Sequence, residues 1–237
     1  MISLFHVCEK HVMIIRICCE SSVVMDHDFW LERWDTNQIG FHQTEFHPML
    51  VKHWHSMTHP RSNVLVPLCG KSRDMHWLQS QGLTVIGSEL SERAMSEFIE
   101  NSEASFTSRS VASFTSHKAP GYHLLVGDFF ALNRNQIGAV DCVYDRAALV
   151  ALPQEIRDQY VQQLQNLLQP KTEILLITFA YDQSKRDGPP FSIDHKEVQR
   201  LFASWCEIEL LETIITDEFG STEENPTTEN CYRLIVS

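Results

Sequence analysis

The chain has 237 residues, a formal net charge of −12 and 43% hydrophobic residues. That length suits one large domain or two small ones, and the composition excludes a low-complexity fibre and a chain disordered throughout. The acidic balance argues against a binder of nucleic-acid backbones, and no apolar run approaches the roughly 20 residues of a membrane-spanning helix. Seven scattered cysteines, of which only Cys18 and Cys19 are adjacent, form no disulfide framework and point to a reducing, cytoplasmic setting.

Residues Met1–Val24 differ from the rest. Glu9, Lys10, His11 and Arg16 interrupt their apolar character, so they do not read as a secretory signal. A short strand over Met13–Cys18 is one reading. The favoured one is a dispensable leader, disordered or the product of a misassigned start, because a clean amphipathic pattern begins at Met25. A single domain is then expected over residues 25–237.

Phe29, Trp30 and Trp34 fall at helical spacing and predict a helix over Asp26–Asp35. A loop with Gly40 follows, and then a second helix over Thr44–His55 with Thr44 as N-cap and Pro48 in its first turn. These helices form an N-terminal cover over residues 25–57. Asn63–Leu68 is a short apolar run of the kind that makes a buried parallel strand. A helix over Ser72–Gln81, a strand over Leu83–Ser88 and a helix capped by Ser91 come next. Residues Ser102–Tyr122 are rich in Ser and Thr and repeat ASFTS at Ala104–Ser108 and Ala112–Ser116, which predicts an exposed insertion. Further strands are expected at His123–Val126, Ala139–Tyr144 and Glu173–Ala180, with helices at Gln154–Leu168 and Asp194–Ser204. Glu207–Ile215 and Cys231–Val236 alternate and predict a closing antiparallel pair. The sum is a single-domain, Rossmann-like α/β fold: a mostly parallel sheet of seven strands, helices on both faces and a terminal antiparallel hairpin.

Ligands of such sheets bind at the carboxyl ends of the strands. The first strand ends in Pro67-Leu68-Cys69-Gly70-Lys71-Ser72, which holds one glycine and lacks the first glycine of a triphosphate loop. A loop that admits no pyrophosphate points to a nucleoside cofactor without phosphates. Glu89 ends the second strand, about 20 residues on, where a carboxylate can accept from both hydroxyls of a ribose; an acid at a helix N-terminus is the equal alternative. Asp128 either accepts from an adenine amino group, with Phe129 covering the ring, or caps a turn. Arg146, after Asp145, meets that aspartate, a ligand carboxylate or the acceptor substrate, because an unpaired buried arginine is costly. Glu89, Asp128 and an arginine fit S-adenosylmethionine better than a nicotinamide cofactor. No ligand spacing for a metal stands out among twelve histidines and seven cysteines.

From Asp28 onward the chain resembles the thiopurine S-methyltransferase family, especially its bacterial members. The resemblance rests on Phe29-Trp30-x-x-x-Trp34, Gly40-Phe41-His42-Gln43, Val66-Pro67-Leu68-Cys69-Gly70-Lys71-Ser72 and Glu89-Leu90-Ser91-Glu92. It continues through Tyr144-Asp145-Arg146-Ala147-Ala148-Leu149 and Gly188-Pro189-Pro190-Phe191. It implies a class I methyltransferase fold. It also implies cofactor contacts from Trp30, Trp34, Leu68, Glu89, Asp128, Phe129 and Arg146, and an acceptor pocket walled by Phe41 and the Gly188–Phe191 loop; His42, Pro189 and Pro190 are counted with Phe41 as substrate contacts. Without it, Trp30 and Trp34 would read as a core stripe.

The reaction expected is methyl transfer from S-adenosylmethionine to the sulfur of a small aromatic or heterocyclic thiol, a detoxifying step. Arg146 is assigned to the acceptor's negative charge, and Asp145 or His42 to its proton. The alternative acceptors are selenium or tellurium compounds or other soft nucleophiles such as halide, and a third reading is a cofactor-binding protein without turnover. A monomer that engages neither nucleic acid nor membrane is expected.

Overall fold

The computed structural model describes residues 27–40, 42–57, 62–217 and 221–237. The leader Met1–Val24 and the candidate pocket residue Phe41 lie outside the described residues.

The helices are α1 (His27–Asp35), α2 (Pro48–His53), α3 (Asp74–Ser80), α4 (Glu92–Glu100), α5 (Arg134–Ile137), α6 (Gln154–Leu167) and α7 (His195–Phe202). The strands are β1 (Asn63–Val66), β2 (Thr84–Glu89), β3 (Thr107–Val111), β4 (Phe114–Ala119), β5 (Tyr122–Val126), β6 (Cys142–Arg146), β7 (Glu173–Ala180), β8 (Cys206–Thr216) and β9 (Thr227–Val236). Their order in one sheet is β3-β4-β5-β2-β1-β6-β7-β9-β8. The five central strands are mutually parallel, and the pairs on either flank are antiparallel. The sheet is therefore nine-stranded and mixed, not a mostly parallel sheet of seven.

The two additional strands come from the Ser/Thr-rich segment, which is not a mere exposed insertion. Its polarity hides a period of two: Phe114 and Ser116 point inward and are buried, while their neighbours face outward. The Phe114 ring occupies the space over Gly127, where any Cβ would lie 2.5 Å from the ring. Strand β4 then pairs antiparallel with β5, Thr115 opposite Val126, and β3 forms an exposed edge.

The second helix starts at Pro48 with His47 at the N-cap, not at Thr44. A residue before proline is disfavoured in helical geometry, so the helix cannot run back through His47. Ser91 caps α4 as expected, accepting from Ala94 N at 3.2 Å, and Asp194 caps α7, accepting from Glu197 N at 2.9 Å.

Successive residues of the central strands feed two cores. Val64, Val66 and Val85 pack with Leu50, Met75 and Phe98 of α2, α3 and α4. Leu65, Ile86 and Val143 pack with Tyr160, Leu164 and Phe202 of α6 and α7. Strand order reverses between β1 and β6, and a crevice opens at their carboxyl ends. The buried His47 reaches across the fold: its N–H donates to Asp74 Oδ1 at 2.8 Å, and its Nε2 lies 3.0 Å from Glu229 Oε1. The cover is thereby tied to α3 and β9.

Candidate functional site

The turn after β1 is built around two residues in the left-handed region, Leu68 (φ +46°) and Gly70 (φ +52°). A Cβ at position 70 would also lie 3.0 Å from the Trp34 ring, so glycine lets the turn and the ring sit this close. Glu89 closes β2 and is 6% exposed. Its carboxylate accepts from Gly70 N and Ser91 N, both at 2.8 Å. Burial pushes the Glu89 carboxyl up, and the N–H groups of Ser91, Gly70 and Leu90 oppose that shift. Two oxygens with about four lone-pair positions keep acceptor capacity beyond those bonds.

Helix α1 lies over this turn. Trp30, Arg33 and Trp34 share one helical face and all three line the same cavity. Arg93 Nη1 donates to Asp35 O at 2.9 Å and holds the end of α1 to α4. Lys71 Nζ lies 5.9 Å from the Trp34 ring centre and 2.5 Å from Glu97 Oε2.

The opposite wall comes from the turn after β6. Arg146 and Ala147 line the cavity, and Ala147 is left-handed (φ +69°). Val150 and Ala151 follow, with Phe179 at the end of β7 and Pro189 and Pro190 from a loop with two cis X–Pro bonds. His42 and Gln38 complete the rim. Burial, then the positive charges of Lys71, Arg146 and Arg73, hold the His42 imidazole below its usual value, so it is neutral at neutral pH.

The cavity holds about 390 Å³ and is mostly apolar. Although the chain carries a net charge of −12, the charged groups lining it are Arg33, Lys71 and Arg146 against the single carboxylate Glu89. That arrangement suits a ligand with a hydroxyl-bearing end and a negative end.

Three expected contacts are not brought there. Asp128 caps the turn at Phe129–Ala131, accepting from Phe130 N at 2.9 Å, and does not line the cavity. The Phe129 ring is 1% exposed and packs on Tyr160 in the core, so it has no free face for an adenine. Asp145 is buried and turned to the other side of β6, where Tyr160 Oη donates to it at 2.7 Å. It cannot take a proton from an acceptor in the cavity. Alternation along the strand explains this: Asp145 points opposite to Tyr144 and Arg146. Trp30, Trp34, Leu68, Glu89, Arg146, His42, Pro189 and Pro190 are brought together. Sequence reasoning missed Arg33, Gln38, Val150, Ala151 and Phe179. Only Arg33 carried a readable signal, three residues after Trp30 on the same face.

The family model of thiopurine S-methyltransferase (TPMT) matches residues 25–234. The chain belongs to that family. A thiopurine S-methyltransferase from Nitrosospira multiformis is 44% identical over 203 residues, covering 85% of this chain and 90% of the relative. One from Pseudomonas fluorescens is 43% identical over 215 residues, covering 89% and 99%. Among solved structures, a SAM-dependent methyltransferase from Anabaena variabilis superposes with a TM-score of 0.59 at 14% identity, covering 90% of this chain and 96% of its own. The Burkholderia thailandensis 1,6-didemethyltoxoflavin-N1-methyltransferase, solved with S-adenosylhomocysteine, gives 0.58 at 13% identity, covering 89% and 87%. These structural likenesses establish the α/β methyltransferase fold. Among the described residues no helix is long and apolar enough to cross a membrane, and no cluster of three His, Cys, Asp or Glu side chains could hold a metal ion.

Proposed function

We propose that the cavity binds S-adenosylmethionine beside a small aromatic or heterocyclic thiol and directs methyl transfer to the thiol sulfur. The observation that carries this reading is one cavity with the buried Glu89 carboxylate at the β2 tip on one side and Arg146 at the β6 tip on the other. The residues present fit the cofactor. Glu89 supplies acceptors for a ribose diol, Gly70 leaves backbone room beside it, and Leu68, Trp30 and Trp34 supply apolar walls. When bound, the cofactor supplies an electrophilic methyl group on a sulfonium.

The remaining work falls to the chain. Arg146 holds the acceptor in its anionic form, and neutral His42 accepts a proton from a thiol that arrives un-ionised. The ring walls of Pro189, Pro190 and Phe179 keep the acceptor in line with the leaving sulfur, and alignment supplies much of the rate gain. The apolar lining excludes water, so that the opposite charges that cancel along the path are not stabilised beforehand. Four buried cysteine thiols, Cys69, Cys142, Cys206 and Cys231, suit a reducing cytoplasm. A cover supplied by the chain's own α1 suits a monomer. We assign no role in methyl transfer to Met1–Val24.

The test is product analysis by mass spectrometry after incubation with S-adenosylmethionine and, separately, 6-mercaptopurine, selenite-derived selenide and iodide. Preferential formation of the methyl thioether supports the reading. Preferential methylation of selenide or iodide replaces it with chalcogen or halide detoxification. Binding of S-adenosylhomocysteine with no turnover across a wider thiol panel replaces it with a binding protein.

A further inference from the structure

Two side chains on one face of α6, Arg157 and Tyr160, reach the acceptor side of the cavity without lining it. Tyr160 Oη donates to Asp145 Oδ2 at 2.7 Å, and Asp145 Oδ1 accepts from Leu149 N at 3.1 Å. Ala148 N–H is aimed at the same carboxylate. Arg157 Nε donates to Leu152 O at 3.0 Å, and its guanidinium lies 5.8 Å from the Phe191 ring centre. Phe191 N in turn donates to Val150 O at 2.7 Å. The 146–152 turn is thus held near both ends by α6, and the loop bearing Pro189 and Pro190 hangs from the turn. Ala147 sits in this turn at φ +69°, a conformation that a non-glycine residue keeps when its surroundings impose it.

We propose that Asp145 and Tyr160 are a positioning pair: through the 146–151 turn they set the acceptor-facing wall of the cavity, although neither lines it. The proposal rests on the thiol-methylation reading and deepens it. The ionised carboxylate makes charge-assisted bonds to Tyr160 and to two backbone N–H groups, and these weaken when it is protonated. Burial pushes the Asp145 carboxyl up to about 6, opposed by Tyr160 and the two N–H groups. Among the described residues Tyr160 is the titratable group facing that carboxylate. Arg157, on the same helix, is turned to Leu152 O and Glu197, and Arg146 is turned to the cavity. The wall is therefore set best above pH 6.

The experiment compares the full chain with its Tyr160→Phe and Asp145→Asn variants between pH 4.5 and 8. One readout is the binding of 4-nitrothiophenol, which is ionised over most of that range, to protein saturated with S-adenosylhomocysteine, followed by quenching of tryptophan fluorescence. The second is KM and kcat for the same thiol. Loss of the Tyr160 hydroxyl should weaken thiol binding and raise KM about three- to tenfold, with a smaller change in S-adenosylhomocysteine affinity. It should also move the acid limb of binding upward in pH, because the bond that favours the ionised carboxylate is gone. Asp145→Asn should weaken binding and flatten that limb; if it does not fold, Tyr160→Phe carries the test. A folded Tyr160→Phe variant with wild-type KM, thiol affinity and acid limb, whatever its melting temperature, overturns the proposal. If the wild type turns over no thiol but the binding limb still moves, the methylation reading fails and the positioning pair stands. If the wild type turns over thiols but the limb does not move, the positioning pair fails and the methylation reading stands.

Discussion

The Glu89 carboxylate accepts the Gly70 N–H at 2.8 Å, tying the tip of β2 to the turn that follows β1. One buried group thus shapes the cavity floor and offers acceptors to whatever lies on it. Replacing it by Gln keeps the shape but loses the charge and turns an amide N–H₂ toward donors. The S-adenosylhomocysteine affinity of Glu89→Gln should fall by roughly 10- to 100-fold, the range for a buried bond to a charged group. Calorimetry measures this directly, and unchanged affinity would remove the sugar-binding role.

Gly70 faces Trp34 so closely that a methyl group there would lie 3.0 Å from the ring. Gly70→Ala should cost about 1–2 kcal/mol for the left-handed backbone alone, and more because the Trp34 ring must move. Its melting temperature and cofactor affinity should fall together, with an altered near-ultraviolet circular dichroism signal. A variant with both quantities at wild-type values would show that the ring and the turn are not in the contact described.

His42 is held below its ordinary value of 6.5 by burial and by neighbouring cations. It is neutral above that value and loses its capacity to accept a proton as pH falls below its lowered pKa. His42→Ala should reduce kcat/KM on the order of 100-fold for a weakly acidic thiol and hardly at all for one already ionised. Equal losses on both substrates would assign His42 to packing instead.

Asp145 affects stability with the opposite sign to a salt-bridged aspartate. Its carboxyl sits at about 6 in the folded chain against an ordinary 3.8, so between those values the folded state binds more protons than the unfolded state. Stability that is full below pH 4 is lost as pH rises through 6, on the order of 3 kcal/mol. Urea unfolding of wild type and Asp145→Asn should show wild type losing ground by that amount between pH 4 and 7. Parallel curves would contradict the shift.

The sequence was most legible where hydrophobicity alone decides structure. The run Glu173–Ala180 is buried on both faces and forms β7 at those bounds. It was least legible where polar residues do structural work. The hairpin of β3 and β4 hides in Ser and Thr because one of its faces meets solvent and its inward positions include Ser116. The same holds at the site. Glu89 could be offered from its strand end as one of two equal readings, and Trp30 and Trp34 only from the family resemblance, because helical spacing alone reads as a core stripe. Asp145, Asp128 and Phe129 could not, because a strand-end acid looks alike whether it faces a ligand or a helix. Which side it faces depends on the strand's rotation, and only the packing of Tyr160 fixes that.

The most direct test of the central claim is a crystal structure with S-adenosylhomocysteine bound. The account predicts both ribose hydroxyls on Glu89, with the ligand sulfur directed toward Arg146 and Pro190. A ligand whose sugar turns away from Glu89, or which binds outside the crevice between β1 and β6, would contradict it.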